Sequence, residues 1–297
     1  MELTGLHLLL TYQCNFECDH CFVWGGPSQT GTFTLPQVEE VLRQAREVGS
    51  VEWIYFEGGE PFLYYGTLLA AARLAAAQGF QVGVVSNGYW AVSEQDAVEC
   101  LRPFAGLIGD LSVSSDLYHY DEALSQQVRD AQKAAAALDI PVGFIEVAQP
   151  ETPGAPSPEG QLPEGSSSVM YRGRAAANLV GGATLHRWEQ FTECPHEDLR
   201  EPGRVHLDPL GNLHICQGIC IGNLFRAPLR DLCREYDPLS HPIVGPLLDG
   251  GPAELVRRYD VSHRERYADA CHLCYEARSA LRPRFPDLLG PDQIYGG

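Results

Sequence analysis

Positive charge is scarce in this chain: Lys and Arg number 21 against 39 Asp and Glu, a formal net charge of −18. A nucleic-acid backbone is bound by neutralising its phosphates, so RNA and DNA are excluded as default partners. Long apolar runs are also missing, and none approaches the roughly 18 consecutive residues that a membrane span requires. Residues 1–10 have neither a basic stretch nor a small-residue cleavage site, so no secretory signal is expected. These absences predict a cytoplasmic protein with no nucleic-acid and no membrane partner. Hydrophobic residues nevertheless make up 44% and aromatics 9%, which excludes global disorder. The 297 residues suffice for one large α/β domain, or a catalytic domain with a smaller one attached.

Strand and helix signals alternate through the first half. An apolar run at 6–10 is followed by a helix from Thr34-Leu35-Pro36-Gln37, an N-cap with an early Pro and a capping-box Gln, to about 48. Strands are predicted at 51–56, 80–85, 107–113 and 142–147, with helices at 65–78, 93–101 and 121–138. Residues 150–168, rich in Pro, Gly and Ser, read as a loop or linker, and a sixth strand is expected at 169–171. This βα repetition implies a parallel sheet or barrel with functional loops at the strand C-termini. Helical periodicity weakens from about 181, where six of the ten Cys appear. The expected domains are therefore 1–180 and 181–297.

Cys14-Asn-Phe-Glu-Cys18-Asp-His-Cys21 falls after the first strand. In a reducing compartment such grouping favours metal ligation over disulfides. Three thiolates hold three irons of a cubane cluster and leave the fourth open; a zinc site with His20 or a distant fourth ligand has the same spacing. Glu57-Gly58-Gly59-Glu60-Pro61, Ser86-Asn87-Gly88 and Ser114-Ser115-Asp116 close the next three strands. All four segments should meet at one mouth.

Cys-x3-Cys-x2-Cys with Phe22 after the last Cys resembles the signature of the radical S-adenosylmethionine (SAM) superfamily. The resemblance implies an α/β fold, a partial (β/α)6 TIM-like barrel, with a 4Fe-4S cluster on Cys14, Cys18 and Cys21. Gly58, Gly59, Glu60 and Pro61 resemble the motif that binds the methionine part of SAM. Ser86 and Asn87 resemble the family's third-strand end, and Ser112 and Ser114 its polar fourth-strand positions. The open iron would chelate SAM, whose reductive cleavage gives a 5′-deoxyadenosyl radical that takes hydrogen from a substrate carbon. A reducing partner such as flavodoxin or ferredoxin is implied.

The stretch 205–216 reads as a β-hairpin with an Asp-Pro…Gly turn. Gly211-x4-Cys216 resembles the hallmark of SPASM and twitch extensions, and Cys271-His-Leu-Cys274 adds a CxxC. No Cys follows it, so the resemblance favours a small α+β twitch-type extension with one auxiliary 4Fe-4S cluster on Cys194, Cys216, Cys271 and Cys274. A zinc site on the same four remains open; Cys220 and Cys233 read as buried thiols or as replacements for one of the four, and Cys100 as a core residue.

Arg174 resembles part of a Gly-Arg-Ala element near the last barrel strand, either binding a carboxylate or sitting in a salt bridge. Asp116 and His119 are candidate bases, or else caps and surface groups. Glu146 either faces substrate or cofactor or pairs with an Arg. The reaction expected is oxidation of a small molecule, its surplus electron passing to the auxiliary cluster. The alternatives are modification of a peptide and, last, a non-enzymatic electron carrier or zinc scaffold.

Overall fold

The computed structural model describes residues 1–122, 124–150 and 165–297. The strands β1 (Gly5–Thr11), β2 (Trp53–Gly58), β3 (Gln81–Ser86), β4 (Asp110–Ser114), β5 (Val142–Val147) and β6 (Gly165–Ser167) lie side by side and parallel. Between them run the helices α1 (Leu35–Val48), α2 (Tyr65–Ala77), α3 (Glu94–Leu101) and α4 (Gln126–Ala137). A short helix α5 (Arg174–Asn178) follows β6. The sheet does not close. Beyond β1 it continues through β8 (Arg204–Leu207), parallel to β1, then β9 (Asn212–Cys216) and β10 (Ile219–Asn223), both antiparallel to their neighbours. A two-stranded ribbon, β7 (His186–Arg187) with β11 (Arg266–Tyr267), and the helices α6 (Leu229–Glu235), α7 (Val244–Tyr259) and α8 (Ala270–Leu281) complete the chain. Among the described residues no helix is long and apolar enough to cross a membrane.

Local chemistry sets these boundaries. Thr34 and Gln37 form the reciprocal capping box that opens α1, and Gly49 ends it in a left-handed conformation. Helix α4 begins at Gln126 and not at 121, because the Ser125 hydroxyl accepts from the Val128 N–H and fixes the N-cap there. The sixth strand is also displaced: Gly165–Ser167 pairs with Ile145–Val147, while residues 169–171 carry no strand pairing. Most of the expected 150–168 loop lies outside the described residues.

Side chains alternate across a strand, and here the two faces differ in kind. Leu6, Leu8 and Leu10, Ile54 and Phe56, Val82 and Val84, and Leu111 and Val113 are buried in one core with the helices. The other parity points inward and is largely polar: His7, Tyr55, Glu57, Asp110, Ser112, Ser114 and, on β8, His206. The half-barrel therefore encloses an open, polar interior.

Candidate active site

The loop after β1 brings Cys14, Cys18 and Cys21 to one cavity, at the C-terminal ends of the strands. Its thiols meet N–H donors: Phe16 N–H to Cys14 Sγ at 3.4 Å, Gly25 N–H to Cys21 Sγ at 3.2 Å, and Asn87 Nδ2 to Cys14 Sγ at 3.7 Å. Burial pushes the Cys14 thiol up to about 12 and Cys18 higher still, so these thiols ionise only against a bound cation. Three sulfurs sharing one cavity, two of them supplied with N–H donors, suit a cluster bound through three of its irons.

The glycines of Gly58-Gly59 have a reason visible in the packing. A Cβ on Gly59 would lie 2.1 Å from the Gln13 carbonyl oxygen, and one on Gly58 2.3 Å from that of Thr11. The end of β2 thus lies directly against the backbone that delivers Cys14, joined by Gly59 N–H to Thr11 C=O at 2.6 Å and Glu60 N–H to Gln13 C=O at 2.9 Å. Glu60 is fully buried and does not face the cavity. Its carboxylate accepts from Phe62 N–H, Ser86 Oγ and Asn87 N–H, tying the β2 end to the β3 end. Burial lifts it to about 7 despite these hydrogen bonds. Pro61 opens the short 3-10 turn behind it.

Of the other expected positions, Ser86, Asn87 and Ser114 line the cavity, and Ser112 lies deeper in the interior. Glu146 does not line it; Ile145 and Val147 do, and alternation turns Glu146 to the opposite face. Asp116 is buried behind the cavity wall. It accepts from His119 Nδ1 at 2.7 Å, Tyr118 N–H at 3.0 Å and Val147 N–H at 3.2 Å. Burial would raise its carboxyl, but the His119 hydrogen bond and the His119 and His20 imidazoles hold it below the usual range. His119 lines the cavity, so the pair has the layout of a base and the carboxylate that orients it. Arg174 is not among the lining residues. Its guanidinium donates to the Cys18 carbonyl at 2.8 Å and the Gly25 carbonyl at 2.7 Å, and lies over Trp24. Its donors are committed to the cysteine loop, and Arg172 faces the cavity in its place.

Cys194, Cys216, Cys271 and Cys274 surround a second cavity, with Arg172 and Arg278 in its walls. Burial pushes Cys194 up to about 12 and raises Cys271 and Cys274. The Arg172 Nη1 donates to Cys216 Sγ at 3.2 Å while its guanidinium lies over Phe22, so one side chain touches both cysteine regions. Cys220 and Cys233 are buried away from this cavity. Cys220 Sγ lies 3.5 Å from His214 Nδ1, and His214 is paired to Asp208.

Sequence reasoning missed the interior residues His7, Glu57 and His206, and the bridging Arg172. The usable signal was parity. Strands covered on both faces are expected to be continuously apolar, and a polar residue at every second position marks a wall facing a cavity.

Residues 8–134 match the family described as the Radical SAM superfamily. The chain carries a radical SAM domain. Such a domain implies SAM and a 4Fe-4S cluster as cofactors. Its relatives include the putative peptide biosynthesis protein YydG of Bacillus subtilis (strain 168), 27% identical over 122 residues, 41% of this chain and 38% of that protein. Another is an S-adenosylmethionine-dependent nucleotide dehydratase of Selenomonas ruminantium, 31% identical over 83 residues, 28% of this chain and 29% of that protein. The chain thus matches well under half the length of either. Beyond the radical SAM domain, the fold as a whole is similar to that of SuiB of Streptococcus suis bound to its precursor peptide SuiA: TM-score 0.54 at 11% identity, covering 91% of this chain and 76% of that one.

Proposed function

We propose that this chain is a radical SAM oxidoreductase that acts on a small polar substrate held in the half-barrel interior. The observation that carries this is the adjacency of two cavities, one lined by the three cysteine thiols and the Gly58-Gly59 turn and the other by the polar interior, with Phe22, Glu57, Val85, Ile145, Met170 and Arg172 in the walls of both. When bound, the cluster and SAM supply a 5′-deoxyadenosyl radical. Cys14, Cys18 and Cys21 hold the cluster, with Arg174 fixing their loop. Gly58, Gly59, Ser86, Asn87 and Ser114 form the wall against which SAM lies. His119, oriented by Asp116, accepts a proton from the substrate, and Arg172 stands between substrate and the second cysteine set. Cys194, Cys216, Cys271 and Cys274 hold an auxiliary cluster, and Arg172 and Arg278 offset the negative charge of its thiolates. Four thiolates saturate such a cluster and fit it to electron transfer.

A second reading is the modification of a peptide side chain that reaches into the same interior. It is supported by the relation to YydG and by the SuiB-like fold.

The chain, reconstituted with iron and sulfide under argon and reduced in the presence of SAM, should release 5′-deoxyadenosine and hold about eight irons. No 5′-deoxyadenosine would refute the radical chemistry, and about four irons would remove the auxiliary cluster. Deuterium reaching 5′-deoxyadenosine from deuterated metabolites favours the first reading. Transfer from deuterated peptides alone favours the second.

A further inference from the structure

We propose that His7, Glu57 and His206 bind one divalent transition-metal cation in the half-barrel interior, at a site separate from both cysteine sets. The three residues come from adjacent strands on one face. His7 on β1 stands in register with Tyr55 on β2 and with His206 on β8, and Glu57 follows Tyr55 by two residues. His7 Nδ1 is 3.3 Å from Glu57 Oε2, and His206 Nε2 is 3.1 Å from Glu57 Oε1. One donor atom from each residue lies within 4.8 Å of the other two. Donors about 3 Å apart are what neighbouring ligands show around a first-row cation bound at about 2.0–2.2 Å.

The hydrogen bonding of the cluster is incomplete in a way that a cation repairs. Glu57 Oε1 and His206 Nδ1 are buried without a hydrogen-bond donor or acceptor. The 3.1 Å approach of His206 Nε2 to Glu57 Oε1 does not have hydrogen-bond geometry. Arg204 Nη1 lies 3.3 Å from the same Nε2. If Nε2 accepts from Arg204, its lone pair and a carboxylate lone pair face each other inside the protein. A cation at their convergence turns that repulsion into two bonds, and Arg204 keeps Glu197 at 3.5 Å as its partner.

Orientation also suits ligation. The His7 ring is stacked on Tyr55 at 4.6 Å and 15°. Tyr55 in turn lies over Gly83, where any Cβ would fall 2.2 Å from the ring. This stack holds the plane of the His7 ring whose Nδ1 meets Glu57, as supporting groups do at metal centres. Asp110, Glu197, Asp198 and Glu201 share the cavity with only two arginines, Arg172 and Arg204, a balance that favours a cation over an anion. Two imidazoles and one carboxylate facing open space leave further coordination positions for water or substrate oxygen.

The test uses the anaerobic holoprotein, its cysteine sites filled with clusters, titrated with Mn²⁺ alone. Mn²⁺ prefers oxygen and nitrogen donors to thiolates, so the cysteines do not compete. Electron paramagnetic resonance should count one bound Mn²⁺ per chain, with nitrogen couplings that change when histidine is ¹⁵N-labelled. His7→Asn, Glu57→Gln and His206→Asn should each weaken binding by about 100-fold or more, beyond the loss typical of supporting groups, while cluster iron is unchanged. Absence of bound Mn²⁺, equal affinity in E57Q and H206N, or bound Mn²⁺ without histidine nitrogen coupling would overturn the proposal. The nitrogen coupling is read on the wild-type chain, so a variant that fails to fold does not remove the test. Release of 5′-deoxyadenosine is a separate readout.

Discussion

Replacing Arg174 separates a positioning role from a catalytic one. The guanidinium is buried and donates to two carbonyls of the cysteine loop, those of Cys18 and Gly25. A hydrogen bond from a charged group contributes about 1.5–3 kcal/mol, so Arg174→Met removes about 3–6 kcal/mol from the local order of that loop. Even the lower figure shifts the loop's equilibrium by more than about a hundredfold, since each 1.4 kcal/mol is a factor of ten. Arg174→Met should therefore retain about four irons instead of about eight, those of the Cys194 set, and release no 5′-deoxyadenosine. Arg174→Lys keeps the charge but not the fork, and should fall between the two in iron content. Iron analysis after anaerobic reconstitution, together with hydrogen exchange of the loop amides, provides the measurement. If R174M retains full iron and an ordered loop and loses only substrate turnover, Arg174 acts on substrate and the positioning role is wrong.

Substitutions at Gly59 and Glu60 address the same mouth, with Gly49 at the end of α1 as a control. Gly59→Ala places a methyl 2.1 Å from the Gln13 carbonyl oxygen; backbone cannot rotate away, so a loss of at least about 2–3 kcal/mol in stability is expected. Gly49→Ala meets no atom within 4 Å and should cost only the left-handed penalty of about 1–2 kcal/mol, a contrast that thermal unfolding of the two variants resolves. Glu60 is raised by burial to about 7 from 4.5, so the folded chain holds a proton that the unfolded chain has already released. Its contribution to stability is therefore full below about pH 4.5 and is lost as pH rises through about 7, by up to about 3 kcal/mol. Thermal midpoints of Glu60→Gln should be flatter than those of the parent between about pH 5.5 and 7.5; parallel curves would show that Glu60 stays ionised across that range.

The legible parts of the sequence were those written in local chemistry. The Thr34 capping box, the strand–turn junctions at Gly58 and Ser86 and the spacing of Cys14, Cys18 and Cys21 each need only neighbours within a few residues. The four cysteines of the C-terminal set were grouped through the resemblance to SPASM and twitch extensions, and they surround one cavity. Arg174 and Glu146 were harder, because their roles depend on which way a side chain points. Arg174 turns back to carbonyls about 150 positions earlier, and Glu146 lies one residue off the parity that lines the cavity. His206 was beyond reach for a different reason. Its place beside His7 depends on β8 joining the sheet next to β1, a pairing 199 residues apart that no local pattern encodes.

That pairing also decides how the chain divides. Composition changes at about 181, yet β8 hydrogen-bonds along β1, and the Gly203 carbonyl accepts from both Thr4 and Gly5 N–H. His196, Glu197, Arg204 and His206 line the same interior as His7 and Glu57. The cysteine loop is gripped from the far end of the chain as well: Gln293 Nε2 donates to the Val23 and Trp24 carbonyls at 3.1 Å, and Trp24 Nε1 donates to Tyr275 Oη at 3.0 Å. A cut at 180 would expose the β1 edge with its unpaired backbone groups, open one wall of the interior and release one support of the loop that carries Cys14, Cys18 and Cys21. The segment after 181 thus forms part of the wall around the interior that His7 and Glu57 line.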